Sequence, residues 1–134
     1  MVKKIDHIAI AVSDLNKEID VYKSIPGFEF NGTEIVEEQK VTVAFFKVGD
    51  VFIELLEPLS EDSPVSKFIE KRGGGLHHIS YEVDNIEREI SVLEKKGIRM
   101  LDRVPRAGAH NARIAFAHPK DFSGVLTELK EKGE

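Results

Sequence analysis

No cysteine occurs in the 134 residues, which removes disulfides and thiolate chemistry from consideration and leaves the redox compartment open. No apolar stretch approaches the length of a membrane span, so the expectation is a soluble, cytoplasmic protein. The opening MVKKIDHIAIAV has basic residues before an apolar run, but the run is short, is interrupted by Asp6 and His7, and lacks a small-residue cleavage site, so it reads as a first strand. Basic charge is scarce as well: the formal net charge of -5 argues against broad nucleic-acid binding. Glutamine occurs once, at position 39, against many Lys and Glu, a bias of proteins from hot environments. What remains is a chain with 41% hydrophobic residues, enough for one core and one domain over residues 1–134.

Periodicity divides that domain into two similar halves. KIDHIAIAV is a β-branched strand, Asp14 is placed to cap a helix, and Leu15, Ile19 and Tyr22 fall on one helical face before Pro26-Gly27. Three apolar stretches follow, near 28–37, 41–48 and 51–56, with Gly49-Asp50 as a hairpin turn. The pattern is βαβββ over residues 1–60. Ser63-Pro64 then opens a connector helix, about 63–73, that Arg72-Gly73 closes. From about residue 74 to 134 the order recurs: the strand GLHHISYEV, a helix opened by a capping box at Asp84 and Glu87 and carrying Ile86, Ile90 and Leu93, and extended runs at 98–104, 112–117 and 124–130. The expected fold is α+β.

Self-similarity is visible in the residues themselves. DHIAIAVSDLNKEI at 6–19 lies over HHISYEVDNIEREI at 77–90, so that His7 falls on His78, and VFIEL at 51–55 lies over VLTEL at 125–129, which puts Glu54 on Glu128. Of the two adjacent histidines, only His78 has a counterpart, and neighbours on a strand point to opposite faces. Singly, each histidine has an ordinary explanation as a hydrogen-bonded core residue and each glutamate as the outer face of an edge strand. Their duplication inside apolar runs favours something else, because an ionised carboxylate is costly to bury unless paired or bound to metal. Halves packed about a pseudo-twofold axis would bring the four into a His2Glu2 cluster, suited to a divalent ion such as Zn, Ni, Co, Mn or Fe with two positions left for substrate oxygens.

DHIAIAV, ELLEP, GGGLHHISYEVDNI, GAHNARIAF and HPKDFSGVLTEL resemble the vicinal oxygen chelate (glyoxalase/bleomycin resistance/dioxygenase) superfamily, and within it the methylmalonyl-CoA epimerases, over nearly the whole chain. The resemblance implies paired βαβββ modules forming a curved, open barrel-like mixed sheet around a metal, with His7, Glu54, His78 and Glu128 as ligands. It implies one divalent ion, Co2+ foremost with Mn2+, Ni2+ or Zn2+ as substitutes, an acyl-CoA substrate and a homodimer. The implied reaction interconverts (2R)- and (2S)-methylmalonyl-CoA by abstraction of the C2 proton through a metal-stabilised enediolate. Glu128 is the first choice of proton carrier. Some family members place a second acid, a Glu, in the strand that corresponds to 41–48, where this chain reads Val41-Thr42-Val43-Ala44, which leaves Glu54 or a water for the other face.

His110, Asn111 and Lys120 are candidates for substrate contact in the GAHN and HPKD loops, with Arg113 nearby; ordinary turn residues and solvated charge are the alternative. His118 and His77 read as structural, and Phe45, Phe46, Phe52 and Phe116 as core. Gly73-Gly74-Gly75 precedes a strand instead of opening a helix, so it is no phosphate loop. Two other readings keep the fold: a glyoxalase I-like enzyme acting on a glutathione hemithioacetal, and a metal-free small-molecule binding or resistance protein. An Fe(II) dioxygenase is disfavoured by the fourth ligand.

Overall fold

The computed structural model describes residues 1–133. It divides into two compact units, one of His7–His77 and one of Met1–Asp6 with His78 onward, so that strands β1 (Val2–Ala11) and β5 (Gly75–Val83) each change unit partway.

In the unit of residues 7–77, β2 (Glu29–Val36), β3 (Val41–Val48), β4 (Val51–Pro58) and β1 lie in the order β2-β3-β4-β1. The hairpins are antiparallel, whereas β1 runs parallel to β4 because helix α1 (Leu15–Lys23) carries the chain away first. Asp14 caps α1 as expected, accepting from the Lys17 amide at 3.2 Å, and the Leu15 amide donates to the Glu57 carboxylate at 2.7 Å. One sheet face meets this helix: Val12, Leu15, Ala44, Phe46 and Leu55 are buried there, with the ring of Phe46 5.3 Å from Phe30 and 5.8 Å from Tyr22. Helix α2 (Pro64–Arg72) is the expected connector, capped by Ser63 and closed by Gly73 in the left-handed conformation. Gly74 has φ +97, and a Cβ there would stand 3.0 Å from the Ala11 carbonyl oxygen, so glycine is required where the chain brushes the end of β1.

The other unit repeats the plan. β5, β8 (Thr127–Glu131), β7 (Arg113–Ala117) and β6 (Arg106–Ala107) lie in the order β5-β8-β7-β6, with β5 parallel to β8 and the remaining pairs antiparallel. Helix α3 (Ile86–Lys95) covers one face and buries Ile86 and Ile90 against Val83, Ala115 and Leu129. The Ile86 amide donates to the Glu131 carboxylate at 3.2 Å, the same clamp that Leu15 makes with Glu57 one repeat earlier.

Three expectations are corrected. Residues 98–104 form no strand: one bridge joins Met100 to Ala117, the Leu101 and Asp102 amides both donate to the Phe116 carbonyl, and Leu101 and Val104 stay exposed with no surface to cover them. Asp84 is not the cap of α3. Asn85 is, accepting from the Arg88 amide at 3.0 Å, while Asp84 receives the N-terminal ammonium at 3.1 Å. The last strand starts at Thr127 because Gly124 and Val125 donate within a turn, to the carbonyls of Pro119 and Phe122. No helix among the described residues is long and apolar enough to cross a membrane.

Ile86 is wholly buried at the head of α3. Ile86→Ala is expected to lower unfolding free energy by about 2–5 kcal/mol through transfer loss and cavity formation, against about 0.5 kcal/mol or less for Val92→Ala on the exposed side of the helix, both measured by urea denaturation.

Candidate metal centre

The sheet face away from each helix carries an imidazole and a carboxylate side by side. In the unit of residues 7–77 the parallel register sets His7 against Phe52 and Ala9 against Glu54. Side chains two apart share a face, so His7 and Glu54 look the same way from neighbouring strands, and the small Ala9 leaves the glutamate room. His7 Nδ1 lies 3.2 Å from Glu54 Oε2, and the residues are 4% and 6% exposed. The other unit makes the same arrangement with β5 and β8. Ser80 is set against Glu128, His78 stands two residues before Ser80, and His78 Nε2 lies 3.8 Å from Glu128 Oε2, both residues 3% exposed. On the far side of Glu128, β7 sets Phe116, whose ring meets the His78 imidazole edge-on at 5.2 Å and 86°.

Imidazole and carboxylate are ligands for first-row divalent ions, and buried His–Glu groups of this kind could hold a metal. The spacing within each pair fits that use. Two ligand atoms each about 2.0–2.2 Å from one ion are roughly 3–4 Å apart for angles between cis and trans, a window that holds both pairs. Sharing an ion also removes the cost of a buried negative charge.

Around Glu128 the same face carries more polar side chains than the sequence reading singled out. Lys130, two residues on along β8, makes a 2.8 Å ion pair with the buried Asp6, and Lys132 pairs with the buried Glu82 at 3.2 Å. On β5, Ser80 lies between His78 and Glu82 and is wholly buried. The signal was the two-residue period: once His78 and Glu128 are assigned inward, positions 80, 82 and 130 follow.

The other candidates stand elsewhere. His110 and Asn111 are exposed in a tight turn before β7 and take left-handed backbone angles, φ 55 and 59, a conformation unusual for residues with a side chain. Lys120 is exposed, in a turn held by its own amide donating to His118 Nδ1 at 3.1 Å, which gives His118 the structural role expected of it. Arg113 is engaged at 3.0 Å by both Glu87 and Glu131, so its guanidinium already has carboxylate partners. His77 packs its ring against Phe68 at 4.9 Å, and burial pushes its imidazole down to about 4. Phe45, Phe46 and Phe116 are buried as expected, whereas Phe52 is half-buried. Beside Glu54, the inward residues of β3 are Val41, Val43 and Phe45, a hydrocarbon wall without an acid.

The fold has known counterparts. The chain belongs to the Glyoxalase/Bleomycin resistance protein/Dioxygenase superfamily, whose profile matches residues 6–116. Within it several relatives are epimerases. Human mitochondrial methylmalonyl-CoA epimerase is 43% identical over 129 residues, 96% of this chain and 73% of the human protein. The ethylmalonyl-CoA/methylmalonyl-CoA epimerase of Cereibacter sphaeroides is 41% identical across 98% of this chain and 99% of its own. A solved Streptomyces coelicolor methylmalonyl-CoA epimerase variant, in complex with 2-nitronate-propionyl-CoA, superposes with a TM-score of 0.94 at 40% identity, covering 99% of this chain and 96% of that one. The family is therefore that of the methylmalonyl-CoA epimerases, and the fold is the α+β glyoxalase fold of paired βαβββ modules.

The Lys130–Asp6 pair gives a stability test beside the site. Lys130→Met withdraws the ammonium from a carboxylate that is 3% exposed, and the expected cost is about 3 kcal/mol at neutral pH, read from the denaturation midpoint.

Proposed function

We propose that the chain interconverts (2R)- and (2S)-methylmalonyl-CoA, with His7, Glu54, His78 and Glu128 as ligands of one divalent cation. The observation that carries this reading is the duplicated, buried His–Glu pair in a chain akin over its whole length to epimerases. The cation, when bound, supplies a Lewis acid for the thioester and carboxylate oxygens of the substrate. The chain's own residues do the rest. Glu128 has two carboxylate oxygens, so one can serve the cation while the other takes the proton from C2. Glu54, alike in type and burial and protonated at the start of this direction of turnover, gives its own proton to the opposite face. This division suits a chain whose β3 offers only Val41, Val43 and Phe45. His110, Asn111 and Lys120, exposed in their loops, serve as substrate contacts, the Lys120 ammonium being suited to a phosphate or carboxylate.

The same reading takes Co2+ as the resident ion, a homodimer as the assembly, and propionate metabolism in the cytoplasm as the setting; these rest on the family resemblance. A glyoxalase I-like activity would use the same proton chemistry on a glutathione hemithioacetal, and assay of both substrates separates the two.

Incubated with methylmalonyl-CoA in deuterated water, the protein is expected to exchange the C2 proton, to lose that activity on chelation and to regain it with Co2+. Glu128→Gln should slow exchange by a factor of about 100 or more, the scale of one general base, with little change in melting temperature. Near-normal exchange by that variant would remove Glu128 from its role, and no exchange by the metal-loaded parent protein would remove the function.

A further inference from the structure

The two halves agree at the strand position that faces the glutamate in being small, and differ in chemistry. Ala9 stands opposite Glu54 and Ser80 opposite Glu128, at corresponding places in the repeat. Steric need alone explains a small residue. It does not explain a hydroxyl, because the Ser80 side chain is wholly buried and its oxygen has no hydrogen-bond partner among the described residues. A buried hydroxyl left unsatisfied lowers stability by about the desolvation penalty of the group, and alanine, as the other half demonstrates, fills the position without it.

The geometry points to Ser80 as a positioning residue for Glu128. Parallel neighbours lie about 4.8 Å apart and the two side chains share one face, so the short serine and the longer glutamate project into the same space. We infer that, with the cation in place, Ser80 donates its hydroxyl proton to the Glu128 oxygen turned away from the metal. That hydrogen bond fixes the carboxylate rotamer and holds the free oxygen in one orientation, as outer partners do for metal ligands generally. Glu54, opposite Ala9, receives no such bond from its facing residue. The two glutamates are thereby made unequal: one is held to a single orientation for proton transfer and the other keeps more rotational freedom. This inference rests on the cation reading of the site, and deepens it.

The test compares the parent protein with Ser80→Ala and Ser80→Thr, by Co2+ titration without substrate, by kinetics of C2 exchange, and by melting temperature with and without the ion. Ser80→Ala is expected to melt at or above the temperature of the metal-free parent, since an unsatisfied group is gone. It should bind Co2+ about tenfold more weakly, in the range found when an outer partner of a ligand is removed. Its kcat should fall by a similar factor with KM within about twofold, because positioning acts after binding. Ser80→Thr, which keeps the hydroxyl, should restore most of the affinity and rate. Ser80→Ala with unchanged Co2+ affinity and unchanged kcat overturns the inference and leaves the cation reading intact. A metal-free melting temperature that drops for Ser80→Ala, with Ser80→Thr failing to restore Co2+ binding, also overturns it, since the residue is then mere packing. Failure of the parent protein to take up Co2+ at all overturns the cation reading and the inference with it.

Discussion

A carboxylate set among Ala and Phe side chains must meet positive charge or give up its ionisation, and this constraint governs the inner face of the strands in each unit. Glu54 and Glu128 are each set on a strand next to an imidazole, each opposite a residue small enough to admit the longer side chain. The imidazole beside each carboxylate answers part of the need, and a divalent ion would answer all of it. The arrangement is hard to reach by accident twice. It also explains why polar groups cluster where a core is expected: Asp6 with Lys130 and Glu82 with Lys132 keep the neighbourhood of Glu128 charged and internally balanced.

That face buries Val41, Val43, Phe45 and Phe116 around the polar groups, and a second apolar layer forms on the other side of the strands. There a helix lies over aliphatic and aromatic residues, Phe46 and Leu55 under α1 and Val83 and Leu129 under α3. Each helix is tied at its first turn by a strand glutamate, Glu57 to Leu15 and Glu131 to Ile86, where free amides and the helix dipole favour negative charge. In each unit one face of the strands packs under a helix and the opposite face carries the imidazole–carboxylate pair.

The elements that periodicity and capping residues specify were readable in the sequence: Asp14 and Ser63 cap the helices expected of them, and the two-residue alternation in GLHHISYEV separates His78 from His77 correctly. The repeat offset identified His7, Glu54, His78 and Glu128 and passed over the buried Glu82. Where side chains override local pattern, the sequence misled. Leu101 and Val104 are apolar without being covered, so residues 98–104 look like a strand and are not one, and Asp84 has the composition of a cap while its neighbour Asn85 has the geometry. Ser80 and Lys130 are easily passed over because neither residue type announces a ligand, although two-residue alternation from His78 and Glu128 puts both on the inner face.

The hydrocarbon wall that β3 raises beside Glu54 bears on isotope chemistry. Val41, Val43 and Phe45 have no acidic hydrogen to give, so if the two glutamates carry the proton as proposed, their unlike facing residues, Ala9 and Ser80, would make the two directions of inversion unequal. Hydrogen and deuterium would then be sorted differently on the way from one epimer to the other than on the way back, and the catalyst would carry an isotopic handedness of its own.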